Sequence, residues 1–178
     1  MKLLREAIRQ ILLTEAMKKK LEPDEKVYIE LTNGYYNITI RNPSKTIAEM
    51  WLSPIAEVND ESWSTRDDCY NEYSYEYLEV GPGISRAEDG YGPLLYDIAM
   101  EYAHQIGMAI VPDRSGVSKS ASAMWKYYNE QRPDVKFTPF ENGHPCFFKT
   151  WHPFPQHLNG AYYKPNREYL DSLGVETP

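Results

Sequence analysis

The chain has 178 residues, and 19 Lys+Arg against 26 Asp+Glu give it a formal charge of −7. That length suits a single core, and 42% apolar with 25% charged residues excludes a disordered chain. The acidic balance argues against a partner gripped by its phosphate backbone, and no apolar run approaches the ~20 residues of a membrane span, so neither a nucleic-acid nor a membrane partner is expected.

Met1 to Leu21 reads as an amphipathic helix. Leu3, Leu4, Ala7, Ile8, Ile11 and Leu12 share one face, and Arg5, Glu6, Arg9 and Gln10 take the other. Those charges break any signal-peptide core, so secretion is not expected. Pro23 stops the helix, which sets residues 1–22 apart from a domain over 23–178. A hairpin follows: Val27–Thr32 and Tyr35–Ile40 flank Asn33-Gly34, a pair that accepts positive φ at both centres of a type I′ turn. Ile47 to Val58 reads as a third strand, weakened by Pro54. Asn59 to Asn71 is polar and acidic, and reads as a loop. Tyr73 to Val80 alternates as a strand that ends at Gly81-Pro82-Gly83. Without a basic patch, its tyrosines suit sheet packing better than base stacking.

Gly92-Pro93 opens a helix closed by Gly107, with Leu94, Leu95, Ile98, Ala99, Tyr102 and Ile106 on one face. Met108 to Pro112 is a short buried strand, and Val117 to Gln131 a second helix with Ser118 as N-cap. Val135 to Phe140 is a further strand candidate, and a short helix closes the chain near Asn166 to Leu173. The last third is rich in Pro, Gly and aromatics. The fold class is mixed α/β (α+β) on a largely antiparallel sheet.

Cys69 and Cys146 lie far apart and do not make a disulfide framework, so a reducing compartment is expected. His144-Pro-Cys146, His152 and His157 match no closed zinc site, so no metal is expected. A nucleophilic pair of either cysteine with one of these histidines is a third, hydrolytic alternative.

The segment from Leu78 to Asp97 carries the most information. A strand runs through a Gly-containing loop into a helix, whose first N–H groups point outward with partial positive charge. Gly90 and Gly92 leave room for a ligand to approach backbone.

Arg86-Ala-Glu-Asp-Gly90-Tyr-Gly92 resembles the Gln/Arg-x-x-Gly-x-Gly/Ala pyrophosphate loop of the GNAT superfamily of N-acetyltransferases, with one extra residue before the first Gly. The resemblance spans about Val27 to Phe140. With Asp113-Arg114 and the Val117–Tyr128 helix, the stretch from Gly90 to Asp97 looks like acetyltransferase-like proteins of tailed phages. The resemblance implies a splayed strand pair, Tyr73–Val80 and Met108–Pro112, with the cofactor acetyl-CoA or another acyl-CoA between them. Val80 and Gly81 would meet its pantetheine arm. Arg86, Gly90, Tyr91, Gly92, Pro93, Leu94 and Ser118 would line its phosphate end. Arg114 and Trp125 would face the substrate, an amine on a protein or small molecule.

This chain departs from the family in three ways. Glu88 and Asp89 sit where an anion should bind. Ser118 stands at the family's Asn position, and Trp125 at that of the Tyr that protonates the leaving thiolate. Indole does not titrate usefully, so Tyr128, one turn on, is the candidate acid, and Glu79 the candidate water-relayed base. These departures support the alternative of a catalytically silent GNAT-fold phage protein, acting as an interaction or counter-defence factor.

Leu13-Thr14-Glu15, followed by Ala16, resembles the Leu/Ile-x-Glu cleavage signal of phage prohead proteases. That likeness implies capsid scaffold and prohead protease as partners, removal of residues 1–15, and a place in the virion interior besides the host cytoplasm.

Overall fold

The structure, a computed structural model, describes residues 20–55, 76–81, 86–113, 116–141, 144, 146, 155–167 and 169–170. The N-terminal helix, the acidic loop and the start of the Tyr-rich strand lie outside that set.

β1 (Lys26–Thr32) and β2 (Tyr35–Asn42) form the expected hairpin. Asn33 and Gly34 turn it with φ of 53° and 82°, both in the left-handed region that Asn-Gly tolerates. β3 (Lys45–Pro54) is ten residues long and ends at Pro54, which has no N–H to extend a ladder. β4 (Tyr77–Val80) and β5 (Arg86–Ala87) precede α1 (Tyr91–Gln105). β6 (Ala109–Val111), α2 (Lys119–Gln131) and β7 (Lys136–Pro139) follow in the order the sequence suggests. A 3-10 turn (Gln156–Leu158) and β8 (Gly160–Tyr163) complete the set. Of the C-terminal helix expected over Asn166 to Leu173, Asn166 and Arg167 are described and not helical, and Tyr169 and Leu170 are helical.

The strands form one sheet in the order β1-β2-β3-β4-β6-β8-β7, with β5 also on β3. Every pairing is antiparallel except β4 with β6. Both helices pack on one face. Ile38, Ile40, Met50, Leu52, Leu78, Ile110 and Tyr162 meet Leu95, Ile98 and Ala99 of α1 and Trp125 and Tyr128 of α2 in one apolar cluster. A smaller cluster of Ile55, Val111, Phe140, Cys146 and Ala161 is packed separately.

β8 was not expected from four residues of Gly-Ala-Tyr-Tyr. It is a strand because β6 and β7 flank it: Tyr162 stands opposite both Ile110 and Phe137. Gly160 fits there only without a side chain. A Cβ would lie 2.3 Å from Phe137 Cε2 and 2.5 Å from the Thr138 carbonyl oxygen. Gly160→Ala is therefore expected to destabilise by about 1–3 kcal/mol, read as a lower urea midpoint with an unchanged slope.

Candidate functional site

The segment between β4 and α1 is built along β3. Val80 stands opposite Leu52, and the Gly81 N–H donates to the Trp51 carbonyl at 3.0 Å. The chain leaves β3 and returns as β5, where Arg86 and Ala87 pair with Glu49 and Ala48. The Glu88 N–H then donates to the Ile47 carbonyl at 3.2 Å. β6 behaves differently. Its three residues pair with Tyr77, Leu78 and Glu79, and the next residue, Pro112, has no N–H to offer. The parallel ladder thus covers all of β6 and reaches Glu79 on β4, so the splayed pair expected of Tyr73–Val80 and Met108–Pro112 is not seen among the described residues.

α1 starts at an N-cap with no side-chain hydrogen bond: Gly90, left-handed at φ 86°. The first turn offers fewer amides than glycine spacing suggested. Tyr91 N–H donates to the Glu88 carbonyl at 3.0 Å. Pro93 has no N–H, and Leu94 is far enough into the helix for its N–H to reach back four residues. The amides of Gly90 and Gly92 are the ones outside a hydrogen bond shown among the described residues. A Cβ at Gly92 would meet nothing within 4 Å, so the backbone is uncrowded on that side. Two amides and the exposed Arg86 fit a diphosphate in part.

The acidic residues of the loop are accommodated. Glu88 pairs with Lys45 Nζ at 2.5 Å, and both side chains are half exposed. Asp89 is exposed. The Tyr91 ring is buried, and its hydroxyl donates to the Glu25 carboxylate. Leu94 belongs to the core.

The side chains expected on α2 do other work. Ser118 is the N-cap, its hydroxyl accepting from the Ala121 N–H at 3.2 Å. Trp125 is buried against Tyr96 and Tyr162, with ring centroids 5.0 and 4.7 Å away. Tyr128 is buried, and its hydroxyl donates to the Pro93 carbonyl at 2.9 Å. Burial, helped by the nearby Asp97 carboxylate, pushes the Tyr128 hydroxyl well above the usual phenol range. It therefore serves as a strut between α2 and the start of α1. Glu79 is buried on β4, between Ser53 and Val111. Arg114, Glu15 and Ala16 lie outside the described residues.

The cysteine expectation needs correction. Cys146 is disulfide-bonded, and the chain's other cysteine, Cys69, lies outside the described residues. A covalent S–S bond removes Cys146 as a thiolate nucleophile. No group of three or more His, Cys, Asp or Glu among the described residues could hold a metal ion, and no described helix is long and apolar enough to cross a membrane.

Two features escaped sequence reasoning. Ser122 Oγ lies 3.1 Å from His157 Nε2, joining α2 to the 3-10 turn. Burial and then Lys126 push the imidazole below its usual pKa. A histidine whose folded pKa is depressed contributes full stability above the unfolded value of about 6.5. That contribution falls as pH drops through this value, because the unfolded chain takes the proton first. His157→Gln is expected to flatten the melting-temperature profile between about pH 7 and 5. The second feature is a polar stretch of β2, β3 and β4 on the side turned from the helices. Alternation alone reads such residues as a solvated face, so no sequence signal marks it.

Compared with known proteins, the chain matches no family model, no curated protein and no solved structure.

Proposed function

We propose that the chain is an acyl-CoA-dependent N-acyltransferase of GNAT type that moves an acetyl group to an amine. The observation that carries this reading is the start of α1 at a left-handed Gly90 with no side-chain cap, where the Gly90 and Gly92 amides are outside any hydrogen bond shown among the described residues. Acyl-CoA supplies an activated thioester. The edge at Val80 and Gly81 aligns its pantetheine arm, and the Gly90 and Gly92 amides, with Arg86, receive its diphosphate. Glu79 would take the proton that the amine loses as its N–C bond forms, the C–S bond breaking with the coenzyme leaving as its thiolate. Tyr128 is here a positioning residue, because its hydroxyl is committed to Pro93. Phage origin, release at Glu15-Ala16 and residence in a virion belong to the same proposal and are supported by sequence likeness alone.

A second reading, a GNAT-fold protein without acetyl transfer, is favoured by the same first turn of α1. Tyr91 has spent its amide, Pro93 has none, and no described side chain on α2 offers a free acid at the cleft.

Titration with acetyl-CoA separates the two. Binding to the folded state alone raises stability by RT ln(1 + [L]/Kd), about 2.7 kcal/mol at 100 times Kd. The enzyme reading expects a rise in melting temperature and a change in tryptophan fluorescence. No shift at about millimolar cofactor would favour the silent reading.

A further inference from the structure

β2 and β3 turn Ile38, Ile40, Met50 and Leu52 toward the helices. Their other side carries Asn37 and Thr39 on β2, then Glu49, Trp51 and Ser53 on β3, with Glu79 following on β4. Register places Thr39 beside Glu49, Asn37 beside Trp51 and Ser53 beside Glu79. None of the six is cationic, and Arg86 on β5, which stands opposite Glu49, is the exposed cation assigned above to the diphosphate. Arg41, further along β2, is already held 3.7 Å from Glu30 and 4.9 Å over the Tyr28 ring.

Two atoms on this face lack what buried polar atoms ordinarily have. Asn37 Nδ2 donates to Glu49 Oε1 at 3.1 Å, which fixes Asn37 Oδ1 as an acceptor pointing elsewhere. That oxygen and Thr39 Oγ1 are buried with no hydrogen-bond partner. Thr39 is 2% exposed and Asn37 9%. Buried polar groups are ordinarily paired, so two neighbouring orphans beside a carboxylate mark a place for a donor-rich ligand.

We infer that this face is the acceptor site and that its substrate is a linear aliphatic polyamine. The inference rests on the acyltransferase reading and names the amine. One ammonium is held by Thr39 Oγ1, Asn37 Oδ1 and the Glu49 carboxylate. The chain then crosses Trp51, whose indole suits a cation. Glu49 and Ser53 are four residues apart, roughly 13 Å along an extended strand. The far amine therefore reaches the neighbourhood of Glu79, the proposed proton acceptor, at the end of the β4–β6 ladder. An ammonium has donors and no acceptors, which matches two orphan oxygens beside the Glu49 carboxylate. A divalent cation is disfavoured, because no described group of three His, Cys, Asp or Glu could ligate it.

The test is calorimetric titration of the full chain with spermine, on wild type, Glu49→Gln and Thr39→Val, with acetyl-CoA titrated separately. Circular dichroism and melting establish that each variant folds. Wild type should bind spermine, and each variant should bind it at least about tenfold more weakly, with the acetyl-CoA response unchanged. Equal affinity in all three proteins would reduce the binding to general attraction by an acidic chain and overturn the inference. So would no heat at roughly 10 mM spermine, where a site with a Kd of about 1 mM would be filled. Binding of a lysine peptide with no binding of spermine would replace the polyamine with a protein acceptor. Glu49-dependent spermine binding without any acetyl-CoA response would keep the amine site and defeat the transfer reading; the converse pattern would do the opposite.

Discussion

Lys164→Met is expected to destabilise the fold by about 3–5 kcal/mol, because it strands a buried carboxylate. Lys164 Nζ lies 2.8 Å from Glu101 Oε1, and the two side chains are 1% and 0% exposed. The other Glu101 oxygen accepts the backbone N–H groups of Tyr169 at 2.9 Å and Leu170 at 3.2 Å. One glutamate on α1 thus holds both a lysine and the start of the C-terminal segment. The pair has neighbours. Lys164 Nζ is 3.7 Å from Asp134, and Arg132 reaches Asp134 at 2.6 Å and Asp97 at 3.2 Å. Three carboxylates face two cations, so losing either cation leaves a larger excess of buried negative charge. Burial holds the Asp97 carboxyl above its usual pKa, while the Arg132 hydrogen bond holds that of Asp134 below. Urea unfolding measures the effect. The double variant Glu101→Gln, Lys164→Met should recover part of the loss, since no unpaired charge remains at that position. A single-variant loss under about 1 kcal/mol would show that the pair is not shielded as described.

Trp125→Ala is expected to cost a similar ~3–5 kcal/mol, for a different reason. The indole fills the junction of α1, α2 and β8, edge-on to Tyr96 and tilted against Tyr162. Deleting it opens a cavity that two fixed helices and a central strand cannot collapse into. For a chain of this size the loss corresponds to a melting-temperature drop on the order of 10 °C. Trp125→Phe should keep part of the packing and lose less. A substrate-facing Trp125 would behave otherwise: the melting temperature would hold and KM alone would move.

Most strands of the sheet could be read in the sequence, and β5 and β8 could not. Asn33-Gly34 declares the first hairpin through local backbone preference, and Ser118 declares a helix start through its capping hydroxyl. Those signals are local. β8 has none: it is a strand only because β6 and β7 present their edges to it from distant parts of the chain. β5 is likewise two residues captured by β3. The site divides the same way. Glycines at 90 and 92 announced a helix start open to a ligand, but the donors there depend on Glu88 reaching Tyr91. Tyr128 at helical spacing from Trp125 suited an acid, yet its hydroxyl is claimed by a carbonyl 35 residues away in sequence. The pairing of Glu101 with Lys164 spans 63 residues and has no local signature. Nor does the disulfide at Cys146, since spacing alone does not say which thiols meet.

The position of β8 bears on how the protein is made. Of the described strands, the one that joins β6 to β7 is the last to be synthesised, so a nascent chain with the other seven finished still lacks the piece between two of them. Until Tyr163 clears the ribosome, β6 and β7 expose unsatisfied ladder groups to any passing strand. Closing pairs so distant in sequence is slow. A chain stopped before Gly160 would therefore be a sticky intermediate rather than a slightly shortened protein.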